Sequence, residues 1–275
     1  MIGKLLENIR KKSQVVHCIT NYVTADYCAN ALHAAGASPV MADCVCEVTD
    51  IVKYASALVI NMGTVSLQRL RAIKATVRQA NKLCIPVIFD PVGVAVSDFR
   101  LRNAIKLLNK EKVSVIRGNA SEIKALAENK CCSKSLEVDA DYEINDKTVC
   151  NIAAMAHKLS RKTGAVIVVS GKIDVIVYGD KMCAVKNGHN LMSKVTGCGC
   201  VLSSIIGAFV GANSDNIFHS CIAAVSTMGV CAELAAEKLK PEEGTITFKN
   251  YIIDALFHIS ADRLEGKADY EIKKI

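Results

Sequence analysis

Residues 85–119 read IPVIFDPVGVAVSDFRLRNAIKLLNKEKVSVIRGN. Two apolar runs, 85–93 and 113–119, flank a segment over 98–109 in which Leu101, Ala104, Ile105 and Leu108 recur at helical spacing. Neither run alternates apolar with polar residues, so each suits a strand buried on both faces. Strand, helix and strand in that order make a parallel pair with a crossover helix. The same rhythm extends in both directions. VVHCIT (15–20), ALVINMG (57–63), AVIVVSG (165–171) and DVIVYGD (174–180) read as further strands, and 24–35, 47–56, 66–82, 120–129 and 151–162 as helices. The chain is therefore predicted to be an α/β protein of three layers, a mostly parallel central sheet with helices on both faces. Within VIVVSGKIDVIVYGDKMCAVKNG (166–188) the rhythm gives way to short antiparallel strands joined by tight turns, and beyond residue 199 the chain reads as almost wholly helical.

The bulk composition agrees. Of 275 residues 51% are hydrophobic, only 5% are aromatic and none is Trp, which leaves Ala, Val, Ile and Leu to fill the core. No repeat and no Pro/Gly/Ser linker divides the chain, so a single domain over 1–275 is expected, with the polar stretch CCSKSLEVDADYEINDKT (131–148) as a surface connection. No unbroken apolar run approaches the ~18 residues of a membrane span. The N-terminal MIGKLLENIRKKSQ reads as a charged amphipathic helix and not as a signal peptide, so a cytoplasmic location and no membrane partner are expected. Thirteen cysteines, an odd number scattered through apolar runs such as VVHCIT and NKLCIPVIFD, read as small hydrophobes and not as a disulfide framework. CVC (44–46), CC (131–132) and CGC (198–200) lack the spacing of common zinc pairs. The net charge of +7 is spread along the chain without interleaved aromatics, which argues against a nucleic-acid partner.

In a parallel α/β sheet ligands sit beyond the carboxyl ends of the strands. Four strand ends here carry glycine and polar residues: NMGT, DPVG, IRGNASE and VSGK. A fifth site of interest is KVTGCGCVLSSIIGAF (194–209), in which Gly197 and Gly199 precede an apolar helix. Glycine opens backbone conformations closed to other residues, and the free N–H groups of a helix's first turn attract an anion. Gly197–Cys200 thus reads as an anion hole, or else as a glycine-rich turn without a ligand. The helix start should lower the Cys200 thiol pKa and favour the thiolate. The stretch is no P-loop, which needs a Lys, and no dinucleotide motif, since Leu202 stands where a third Gly or Ala belongs. Arg117 ends the strand VSVIRGN, where a buried guanidinium needs a partner, and Glu122 is the nearest acid in sequence.

VHCITNYVT, ASPVMA, NMGT, FDPVG, IRGNASEI, VVSG and NGHNLMSKVTGCGC follow one another in an order that resembles the hydroxyethylthiazole kinases, a family of the ribokinase-like superfamily. The resemblance runs across nearly the whole chain. It implies transfer of the ATP γ-phosphate to the primary alcohol of 4-methyl-5-(2-hydroxyethyl)thiazole with Mg²⁺, in thiamine salvage, by a homotrimer with sites at subunit boundaries. It implies that Gly197, Gly199 and Cys200 hold the transferring phosphoryl group and the alcohol, Cys200 standing where many superfamily members carry an Asp base. It implies further that Arg117 and Ser170 contact ATP, that Asp90 and Glu122 serve the metal, and that Asn21, Met41 and the Gly197 backbone face the thiazole. Asn61, Gly63 and Thr64 are expected to line the same pocket. The sequence departs from the family at Cys198, where Thr or Ser is common, and at Asn190, where Pro is frequent. A pyrimidine or pyridoxal kinase of the same superfamily, a nucleotide-binding regulator without catalysis and a dehydrogenase are the competing readings.

Overall fold

The computed structural model describes residues 1–131, 144 and 148–275, so most of the polar stretch 131–148 lies outside the described residues. The apolar runs become β1 (Val15–Ile19), β3 (Ala57–Asn61), β4 (Val87–Asp90), β5 (Val115–Asn119), β6 (Val166–Ser170), β7 (Asp174–Tyr178) and β8 (Lys181–Val185). Two short strands complete the set, β2 (Ser38–Val40) and β9 (Tyr270–Lys274). The nine described strands form one sheet in the order β2-β1-β3-β4-β5-β6-β7-β8-β9. Pairing is parallel from β2 to β6 and antiparallel from β6 to β9.

The unbroken hydrophobicity of the inner strands has the cause the sequence suggested. Val59, Ile88, Val115 and Val168 point into one core, while Ile60, Phe89, Ile116 and Val169 point into the other. The first core lies under α1 (Ile2–Lys12), α2 (Ala25–Ala35), α8 (Cys198–Ala212), α9 (Ile217–Lys238), α10 (Thr245–His258) and α11 (Ala261–Lys267). The second lies under α3 (Val48–Ile51), α4 (Leu67–Lys82), α5 (Asp98–Leu108), α6 (Ala120–Glu128) and α7 (Val149–Thr163). The segment 47–56, expected to be one helix, is the single turn α3 followed by a 3₁₀ turn over Val52–Tyr54.

Three local readings are refined. The segment 214–238, which includes α9, is long and apolar enough to cross a bilayer, against the expectation that no span exists, yet 78% of its apolar window is buried inside the protein. It packs against β6, β7 and β8 and against α10, and that tertiary burial explains its composition. Beyond residue 199 the chain is almost wholly helical, as expected; the exception is β9, which pairs with β8 and places charged Glu271, Lys273 and Lys274 along the outermost strand. Charge on an edge strand hides the apolar signal that marks inner strands. Cys84 is exposed in the turn before β4, at φ 56°, and does not pack as a small hydrophobe.

Helix α8 packs directly onto the parallel strands. It crosses the inner face of β1, β3 and β4, and Gly207 lets it approach so closely that an added Cβ would stand 2.6 Å from Val59. Nearly every side chain of α8 is buried, so its position is rigid. Its N-terminus is thereby fixed at the carboxyl edge of the parallel strands.

Candidate active site

The sheet register assembles the site. Asn61 and Asp90, the last residues of β3 and β4, are direct partners, as are Asn119 of β5 and Ser170 of β6. Asp90 is fully buried. Its Oδ2 accepts hydrogen bonds from Asn61 Nδ2 at 3.0 Å and from Ser203 Oγ at 2.7 Å, and lies 3.7 Å from Arg117 Nη1. Its Oδ1 has no hydrogen-bond partner. Burial pushes the Asp90 carboxyl up to about 6, against the pull of the Arg117 charge.

Arg117 pairs with Asp90, not with Glu122 as the strand-end reading suggested. Its Nη2 donates to Ser170 Oγ at 2.6 Å, which joins the two residues expected to contact ATP. The guanidinium reaches the first turn of α8, where a Cβ on Gly199 would lie 2.5 Å from Arg117 Nη1. Only glycine at 199 leaves room for it. Gly197 is the residue before the helix, at φ +96°, and a Cβ there would strike Thr24 Cγ2 at 2.6 Å. The two glycines have different tasks. One supplies a left-handed turn, the other admits a cation to the helix N-terminus.

Glu122 is the most altered of the expected site residues. Its Oε2 accepts from the Asn119 backbone N–H at 2.9 Å, and the Asn119 side chain accepts in return from the Glu122 N–H, forming a capping box at the start of α6. Its Oε1 accepts from the Gly93 N–H at 2.8 Å, which ties the DPVG turn after β4 to α6. Both carboxylate oxygens are thus engaged once by backbone groups.

Cys200 is half-buried on the first turn of α8. Its Sγ accepts from Asn21 Nδ2 at 3.2 Å and from Asn61 Nδ2 at 3.3 Å. The expected thiolate is not favoured: burial and the nearby Asp90 charge raise the thiol pKa, and outweigh the Thr24 and Asn21 side chains and Arg117. Asn21 is locked by Thr24, whose N–H and hydroxyl both donate to Asn21 Oδ1 at 3.1 Å. Met41 is half-buried and packs against the same core as Cys200, without a polar contact that would give it a role. Gly63 donates its N–H to Asn61 Oδ1 at 2.8 Å, while Thr64 is held through Arg69, which also pairs with Asp43.

A cleft of about 730 Å³ opens from this cluster, lined on one side by Arg117, Ser170 and Gly199 and on the other by Asn187, His189 and Met228. Asn21 and Met41 lie outside it. Next to Asn21 in the chain, Tyr22 is 75% and Val23 64% exposed. Ser203 was not anticipated from the sequence, although it lies one helical turn beyond Cys200 within VLSS and so shares its face. Among the described residues no three His, Cys, Asp or Glu side chains converge as a metal cluster.

Comparison with known proteins gives a consistent result. Residues 6–262 match the model of the "Hydroxyethylthiazole kinase family". The hydroxyethylthiazole kinase of Clostridium acetobutylicum is 43% identical, with 98% of this chain and 99% of the relative aligned. That of Methanobrevibacter smithii is 37% identical, over 98% and 96% of the two chains. The solved structure of the hydroxyethylthiazole kinase protein from Pyrococcus horikoshii superposes with a TM-score of 0.88 at 30% identity, covering 99% of both chains. The pyridoxal kinase of Staphylococcus aureus with AMP-PCP and pyridoxal shares the fold alone, at TM-score 0.61 and 13% identity, over 95% and 98%.

Proposed function

The chain belongs to the hydroxyethylthiazole kinase family, and on that premise we propose that it transfers the γ-phosphate of ATP to the primary alcohol of 4-methyl-5-(2-hydroxyethyl)thiazole at the carboxyl edge of its parallel strands, in thiamine salvage. The observation that carries the site assignment is the meeting of Arg117 with the N-terminus of α8 at Gly199. Two positive features converge there, and the Asp90 carboxylate, 3.7 Å from Arg117 Nη1, accepts hydrogen bonds from Asn61 and Ser203. A phosphoryl group is an anion that suits such a place.

Each residue then has a physical task. The cleft takes the nucleotide, with its phosphates toward Arg117 and Ser170. Arg117 and the N–H groups following Gly197 hold the transferring group, whose transition state spreads charge over its oxygens. Asn21, Met41 and the Gly197 backbone face the thiazole alcohol. Cys200, protonated at neutral pH by the direction of its shift, orients that alcohol as a hydrogen-bond partner, with no preformed thiolate base. A loose phosphoryl transition state needs little help in removing the alcohol proton.

Mg²⁺ fits the donors available. Asp90 offers a carboxylate oxygen, Oδ1, that is buried and has no hydrogen-bond partner. Glu122 keeps a free lone pair on each oxygen after its backbone bonds, enough to hold a metal-bound water. When bound, the cation would neutralise charge on the nucleotide phosphates. Homotrimer assembly also belongs to this proposal. Its support is that Asn21 and Met41 lie outside the cleft and that Tyr22 and Val23, next to Asn21 in the chain, are exposed, so a second copy would close the acceptor side. A single catalytic domain over 1–275 and a cytoplasmic location complete it.

The test is a coupled ADP-release assay with ATP and Mg²⁺, offering the thiazole alcohol, hydroxymethylpyrimidine and pyridoxal separately. Turnover with the thiazole alcohol is expected. Turnover only with one of the other two, or ATP binding with no acceptor-dependent turnover, would refute the assignment.

A further inference from the structure

Asn61 is buried to 1% exposure and uses every hydrogen-bonding position of its amide. Nδ2 donates to Asp90 Oδ2 at 3.0 Å and to Cys200 Sγ at 3.3 Å. Oδ1 accepts from Asn21 Nδ2 at 3.1 Å and from the Gly63 N–H at 2.8 Å. Two donors and two acceptors are the full capacity of the group. Its orientation is determined, because a flip would set the amide oxygen against the Asp90 carboxylate and the NH₂ against the Gly63 N–H.

We propose that Asn61 is a positioning residue that sets the spacing between the phosphoryl side of the site, represented by Asp90, and the acceptor side, represented by Cys200 and Asn21. The inference rests on the kinase reading above. One planar nitrogen holds a carboxylate oxygen and a sulfur on its two diverging N–H bonds, so neither can move without tilting the amide. The oxygen end does the same for Asn21. No other described side chain hydrogen-bonds both Asp90 and Cys200. Ser203, the other donor to Asp90, bonds only to Asp90 and to the Gly199 carbonyl of its own helix. The second consequence concerns the sulfur. Both amides donate to Sγ, so the thiol proton is directed away from them. Asn61 thereby sets the direction in which Cys200 can donate.

A residue that acts through others should alter the chemical step more than nucleotide binding, since Asn61 does not line the nucleotide cleft. Misplacing reacting groups by about 1 Å lowers rates about 100-fold. For Asn61→Ala we expect kcat to fall about 30- to 100-fold while the KM for ATP stays within about threefold. Ser203→Ala, which loosens Asp90 alone, should lower kcat less. The deciding measurement is a double-mutant cycle of Asn61→Ala with Cys200→Ala. If Asn61 acts through the sulfur, the combined loss should be smaller than the product of the single losses by about tenfold. Asn61→Ser carries the same measurements if Asn61→Ala does not fold, because a hydroxyl keeps one partner but cannot span two. Multiplicative losses, an unchanged kcat, or a rise in the ATP KM that accounts for the whole defect would each overturn the proposal. Failure of the kinase reading is separate, because it would show as absent acceptor-dependent turnover in the unaltered protein.

Discussion

Gly199→Ala should separate stability from activity. Gly199 lies in the first turn of α8 without a left-handed φ, so its backbone accepts alanine. Alanine in a helix is favoured over glycine by about 0.8–1.0 kcal/mol, less so at an end. That preference alone would hold or slightly raise the Tm. The added methyl, however, would lie 2.5 Å from Arg117 Nη1, 2.9 Å from Nη2 and 3.1 Å from Cζ. A comfortable carbon contact of about 3.5 Å requires the guanidinium to retreat by roughly 1 Å. The Arg side chain is long enough to do so without disturbing the core, but it leaves the 2.6 Å bond to Ser170 and its place over the helix N-terminus. A displacement of roughly 1 Å at a phosphoryl-holding group lowers the rate about 100-fold. Steady-state ADP release with ATP titrated at saturating thiazole alcohol measures kcat and KM, and a thermal melt measures Tm. The expected outcome is a kcat reduced about 100-fold and a raised ATP KM, with a Tm lowered by no more than the lost Ser170 bond accounts for. An alanine variant with kcat and KM within about threefold of the parent would refute the claim that Arg117 and the helix N-terminus act at one spot.

Gly197→Ala should behave oppositely: a left-handed residue gains a Cβ that strikes Thr24, so stability should fall by about 1–2 kcal/mol along with activity, read by urea denaturation. The pH dependence follows from Asp90. Its folded pKa, about 6, is raised above the ordinary 3.8, so the folded state binds more protons between these values. This group's contribution to stability is therefore unaffected below about pH 4, falls as pH rises from about 4 to about 6, and is constant above. Melts of the ligand-free protein and of Asp90→Asn should differ in slope over that window, and a parallel pair would refute the burial argument. Thiol-directed alkylation at neutral pH should modify exposed Cys44, Cys46, Cys84 and Cys150 before Cys200, whose thiol is raised by burial. Peptide mapping against residual activity checks the order, and Cys200 labelled first would restore the thiolate reading.

The legible part of this protein is the part whose signal is local. Inner strands buried on both faces must be apolar throughout, so IPVIFD and VSVIRGN declare themselves; the first ends on Asp90, while Arg117 stands in the middle of β5, which runs on to Asn119. Strand β2 spans only Ser38–Val40 and contains a proline, while β9 is a charged edge, so neither carries that signal. At the site the residue identities could be read but not the pairings. Arg117 and Glu122 are near in sequence, yet β5 turns Arg117 toward Asp90 and Ser170, and α6 turns Glu122 back to its own capping box. The Cys200 thiol shows the same limit. A helix N-terminus alone argues for a lowered pKa, but desolvation depends on what packs around the sulfur, and burial with Asp90 close by reverses the sign.

The electrostatics of the ligand-free site also bear on why flexible glycines precede the most buried helix of the fold. Among the described residues Arg117 forms one ion pair, at 3.7 Å to Asp90, and that carboxylate already accepts from Asn61 and Ser203. Its Nε is buried without a partner. The helix N-terminus adds further positive potential at Gly199. A guanidinium placed there is poorly compensated in the free protein, and only a rigid support keeps it from swinging to solvent. Helix α8 supplies the support, fixed by apolar packing along nearly its whole length, and Gly199 supplies the space. On the proposed assignment, an arriving phosphate would gain from fixed dipoles and a fixed cation that need no reorganisation when charge redistributes. The buried apolar helix and the small residues before it are two halves of one requirement. Catalytic charge has to be held in place without being neutralised by the protein itself.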